Sequence, residues 1–187
     1  MSPHLRKAFQ RLLLLGGLVL MTSACGGLDT LVEMQPPDES LELSASEPVA
    51  VRRVRMVAAG KPGTGTKVAS RELTFVFSRY WVRPPADGSE VVYPWYRLRI
   101  VDERDGHVED EDVIAFGPGS SESKVYLTPR LGPEDPADRF DVTYRLEFER
   151  QGPPSVGTIR VSWETFGSVM SDGDEDDVEL TVTQSAP

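Results

Sequence analysis

The chain has 187 residues with 30 acidic and 20 basic side chains, a net charge of −10 and one cysteine. An acidic balance of this size argues against nucleic acid, which is bound through clustered Lys and Arg. A lone cysteine rules out a disulfide within one chain, so stability must come from packing.

The first residues form three blocks. His4, Arg6, Lys7 and Arg11 make a positive start, residues 12–21 (LLLLGGLVLM) are apolar, and Thr22, Ser23 and Ala24 lead to Cys25. That is the layout of a secretory signal. The apolar block is shorter than the roughly 20 residues a permanent spanning helix needs.

Small residues followed by the only cysteine resemble the lipobox of bacterial lipoproteins, with Thr22 where that family usually has an aliphatic residue. The resemblance covers residues 1–26. It implies a signal peptide over 1–24 and lipidation of Cys25, which becomes the first mature residue and carries a diacylglyceryl group and usually a third acyl chain. Gly26, in place of an aspartate, implies the outer membrane. More than one acyl chain is also what stable anchoring requires, and acylation accounts for an unpaired thiol in an exported protein.

The leader contains Arg6, Lys7 and Arg11 and no acid, so the mature chain has 17 basic and 30 acidic side chains, a net of −13. Residues 25–48 are acidic and contain Pro36-Pro37, which reads as a lipidated cysteine and a flexible tether, with a short strand at 41–43. A domain over 49–187 follows.

From Val49 the pattern has period two. Val49 and Val51 share one phase, Val54 and Met56 the other, which predicts a bulge at Arg52-Arg53 or two short strands. Residues 60–67 (GKPGTGTK) read as a flexible loop and lack the spacing of a phosphate loop. Strands are expected at 73–82 and 91–101, joined as a hairpin across the Pro- and Gly-containing segment 83–90. Pro94 would place the second at an edge or bulge. Residues 102–112 (DERDGHVEDED) read as a charged connection, followed by short strands at 113–116 and 124–128.

Phe140, Val142, Tyr144, Leu146 and Phe148 take every second position, a strand with one buried and one wet face. Ile159, Val161 and Trp163 do the same after a turn, and Val178, Leu180 and Val182 close the chain. About eight strands with turn signals between them predict an all-β antiparallel sandwich. Greek-key, immunoglobulin-like connectivity is the first expectation and a small barrel the alternative.

The mature chain holds one histidine, His107, in a charged loop, and no G-x-S-x-G elbow, so a non-catalytic protein is expected. Two ligand chemistries remain open. Asp172, Asp174 and Asp176 alternate in an acidic turn that would suit calcium, although the spacing is not that of an EF-hand. Tyr80, Trp81, Tyr93 and Trp95 flank the 83–90 segment and would offer rings to a sugar or a protein partner. The sequence thus predicts an envelope lipoprotein with an interaction or assembly role. The membrane, through the lipid, and an envelope protein are its expected partners; a carbohydrate- or calcium-binding module is the alternative.

Overall fold

The computed structural model describes residues 30–82, 91–117, 124–131 and 135–186. In chain order the strands are β1 (Thr30–Met34), β2 (Glu39–Leu43), β3 (Val49–Gly60), β4 (Val68–Val82), β5 (Trp95–Asp102), β6 (Val108–Ala115), β7 (Lys124–Leu127), β8 (Arg139–Gln151), β9 (Thr158–Ser171) and β10 (Val178–Ser185). They form two antiparallel five-stranded sheets. The first runs β1-β9-β4-β7, with β2 also on β9; the second runs β10-β3-β8-β5-β6. The protein is a β-sandwich.

Alternation decides which side chains meet in the middle. The five alternating residues of β8 face Val54, Met56 and Ala58 of β3 on one sheet, and Leu73, Phe75 and Phe77 of β4 on the other, all buried. Trp163 is 1% exposed. Its ring lies 6.1 Å from Phe77 in its own sheet and 5.5 Å from Phe148 in the opposite one, so it joins the two layers. Its indole N–H donates to Gln184 Oε1 at 2.8 Å, and Gln184 Nε2 donates to Pro37 O at 2.8 Å. Three distant parts of the chain are tied together through Gln184.

Several expectations change. Residues 30–43 belong to the sandwich rather than to a tether: β1 pairs with β9 from Thr30↔Ser171 to Met34↔Gly167, and β2 from Glu39↔Trp163 to Leu43↔Ile159. Leu41 and Leu43 are buried, and Glu42 between them faces water. The two strands are one edge broken at Pro36-Pro37, where proline cannot donate to the ladder.

The bulge at Arg52-Arg53 is absent, because β3 pairs with β8 without a register shift from Val49 to Ala59. Val49 and Val51 instead lie on the outer face, and Arg52 takes the inward phase and turns its guanidinium back to Val51 O at 2.8 Å. Valine at a strand end is not confined to the core side.

β4 and β5 are not a hairpin, since they lie in different sheets. Pro94 precedes β5 and so leaves the ladder intact. The charged stretch 102–112 supplies a real hairpin: its acids 109–112 are half of β6, paired with β5. The loop at 61–67 is pinned rather than loose. Lys61 N donates to Asp177 O at 2.7 Å and Lys67 N to Asp172 Oδ1 at 2.7 Å.

From β2 to β5, and again from β6 to β10, each strand sits in the sheet opposite its predecessor. Only β5 and β6, among the described residues, form a hairpin of consecutive strands.

Candidate functional site

The outer faces of the two sheets differ in kind. On the second sheet, charges pair across strands, Arg55 with Asp141 at 2.6 Å, Arg53 with Glu103 at 2.9 Å, Arg99 with Glu111 and with Glu147 at 3.2 Å, and Arg97 with Glu149, and along β8, Arg145 with Glu147 at 2.8 Å. Each exposed pair is worth little alone. Together they cover that face with ion pairs, although Arg97 Nε and Arg99 Nε make no hydrogen bond.

At its corner, Asp102 is buried and accepts from Arg104 Nε at 2.9 Å and from Arg104 N at 2.8 Å, which fixes the β5–β6 turn. The Arg104 hydrogen bonds hold the Asp102 carboxyl below its ordinary range. Asp141, bonded by Arg55 and then Arg139, is lowered from 3.8 to about 2. A depressed carboxyl stabilises the fold fully above its unfolded value and loses that contribution as pH falls through the folded one. Stability from Asp141 should therefore persist above about pH 4 and fade towards pH 2. Asp141→Asn should flatten the fall in Tm across that window, as read by thermal melts in an acid series; an unchanged slope would discount the pair.

The first sheet presents a groove instead. In β9 the inward phase is Ile159, Val161, Trp163 and Val169, which leaves Phe166 pointing out. In β4 the inward Phe75 and Phe77 leave Thr74 and Val76 outside, and β7 adds Tyr126 opposite Val76. Phe166 lies opposite Thr74. With Met34 from β1 these residues line a hollow of about 620 Å³, rimmed by Glu33, Gln35 and Glu72. Tyr126 is 65% exposed and Phe166 37%. Lys124 and Glu164 close one end as an ion pair at 3.3 Å. Among the described residues no strand pairs with the outer edge of β7, so the groove ends on an unpaired ladder.

The aromatics expected to act together are divided. Tyr80 and Trp81 are neighbours on one strand and so take opposite faces. Tyr80 lies outside the first sheet, beside Arg160 in the ladder. Trp81 is half-buried, with its ring 5.5 Å from Tyr93 and its N–H donating to Val156 O at 3.3 Å, and the two rings close one end of the sandwich. Trp95 lies on the outer side of the second sheet against Gly152, where a Cβ would come within 2.4 Å of the indole nitrogen. The structure thus brings Trp81 and Tyr93 together, while Tyr80 and Trp95 lie on the outer faces of different sheets.

The acidic turn is partly gathered. Asp172 and Asp174 line one hollow of about 470 Å³ with Thr30, Thr66 and Asp177, Asp172 accepting from the Lys67 amide, while Asp176 sits in a short 3-10 turn, Glu175–Asp177. Among the described residues, no three His, Cys, Asp or Glu side chains are gathered for a metal ion. His107 is exposed in the β5–β6 turn. Cys25 lies outside the described residues.

Sequence reasoning missed Tyr126 and Phe166. The signal for Phe166 was present, since it falls out of phase with Ile159, Val161 and Trp163; that for Tyr126, on a strand of only four residues, was not. No protein-family model matches the chain, and neither does any curated protein sequence.

Proposed function

We propose that the chain is a lipid-anchored, non-catalytic lipoprotein of the bacterial cell envelope, held at the outer membrane through Cys25, and that it works by binding a protein partner in the groove of the first sheet. The contrast between the two outer faces carries this reading: one is laced with ion pairs, while the other leaves Tyr126 and Phe166 exposed around a hollow. Exposed aromatics in a concave patch are typical anchors of interfaces.

The occupant is an extended, positively charged segment with apolar side chains. The outer edge of β7, which no strand among the described residues pairs with, would offer backbone donors and acceptors for strand addition. Met34, Val76, Tyr126 and Phe166 offer apolar anchorage, and Glu33 and Glu72 favour a cationic strand. A second copy of this acidic chain would bring like charges together.

The test is in-cell crosslinking, followed by purification of the lipidated protein with whatever it holds. A stoichiometric envelope partner should come with the wild type. The pair Tyr126→Glu and Phe166→Glu should lower its recovery by about tenfold or more, because each places an unpaired charge in the desolvated contact. Both side chains point outward, so Tm should hold. Equal recovery would remove the groove from the interface, and no partner at all would overturn the binding role.

A further inference from the structure

We infer that the sandwich stands directly on the bilayer, with the end that carries Thr30, the 61–67 loop and the 172–177 turn facing lipid. The inference rests on the proposed acylation of Cys25. Only Gly26, Gly27, Leu28 and Asp29 separate that residue from Thr30. Fully extended, they reach at most about 17 Å. Slack cannot be drawn from β1, because Thr30 through Met34 are laddered onto β9 and Pro37 is held by Gln184.

Register fixes which end is near. Thr30 lies opposite Ser171, the last residue of β9; Val68 opens β4 opposite the same residue, and Val178 opens β10 opposite Gly60. The other end carries the 152–157 turn and the Trp81–Tyr93 pair, near the start of β9 at Thr158. The length of β9, at about 3.3 Å per residue, separates the two ends by roughly 45 Å.

The short tether, not charge, sets this orientation. Asp172, Asp174, Glu175, Asp176 and Asp177 outnumber Lys61 and Lys67 at the near end. Anionic headgroups repel such a surface rather than bind it. The groove opens at Glu33 and Met34, about 10–13 Å up β1 from Thr30. A segment seated there lies within roughly 30 Å of the lipid, so its owner is itself at the membrane surface.

Because acylation consumes Cys25, any added cysteine is the only thiol available for labelling. Lys61→Cys and Pro154→Cys, both at exposed turn positions, would each receive a donor dye. The acylated full chain would then be placed in vesicles of phosphatidylethanolamine and phosphatidylglycerol carrying an acceptor-labelled lipid. The roughly 45 Å between the ends predicts energy transfer at least about threefold stronger from position 61 than from position 154. A long Gly-Ser insertion between Gly27 and Leu28 should remove most of that difference. Equal or reversed transfer in protein whose N-terminal peptide shows acyl mass would overturn the orientation alone. Absence of acyl mass would overturn the anchor reading, and the orientation with it.

Discussion

Trp163→Ala is expected to cost about 3–5 kcal/mol, the range for emptying a buried tryptophan site. The side chain spans both layers, touching Phe77 on one and Phe148 on the other, so the cavity would open between sheets rather than within one. The substitution also strips a donor from Gln184 Oε1, which then keeps only the longer bond from Thr165 Oγ1 at 3.2 Å. A domain of this size has about 5–15 kcal/mol in total. Urea unfolding followed by the remaining tryptophans should show a lower midpoint with an unchanged slope. A loss under about 1 kcal/mol would mean that the layers are held elsewhere. Trp163→Phe, which keeps the ring contacts and loses the N–H, should cost only about 1–2 kcal/mol.

Gly60→Ala should be the costliest glycine substitution, at about 2–3 kcal/mol. An added Cβ would fall 2.0 Å from Thr66 O and 2.9 Å from its carbonyl carbon. Both are main-chain atoms, so no flexible side chain can swing away. The backbone there is already committed: Gly60 pairs with Val178 and donates to Asp138 O at 3.2 Å. Yielding would pull the 61–67 loop off Asp172 and Asp177. A fall in Tm of about 5–10 °C follows from a loss of that size. Gly63 is the control. No atom lies within 4 Å of its would-be Cβ, but its φ is +89°. Alanine at Gly63 should therefore cost only about 1 kcal/mol, for conformation alone. Equal losses at the two sites would show that the close approach at Gly60 is relieved by a small shift.

How far the sequence could be read depended on strand position. β8 is central in its sheet, and its five alternating apolar residues declare both strand and face. β1 is a short edge strand in which only Val32 packs inward among Leu31, Glu33 and Met34. An edge with one buried residue has almost no period to detect, so it merged with the acidic stretch around it. Partnering was invisible for a different reason. Nothing local to β4 or β5 records that one pairs with β9 and the other with β8, more than forty positions downstream. The division of Tyr80 from Trp81 needed no structure at all, since adjacent residues on a strand take opposite faces. The groove needed the whole sheet, because it is built from β1, β4, β7 and β9 at once.

The alternation of successive strands between sheets bears on how the chain is made. β1 is the first strand to be synthesised, yet its ladder partner ends at Ser171. At synthesis rates of about 5–20 residues per second, β1 waits on the order of ten seconds for β9 to exist. β3 fares little better, lying between β8 and β10. A chain wired in this way cannot lock its N-terminal half early. It remains threadable until nearly its last strand has emerged, and then closes in a single step dominated by distant pairings, the kind that fold slowly.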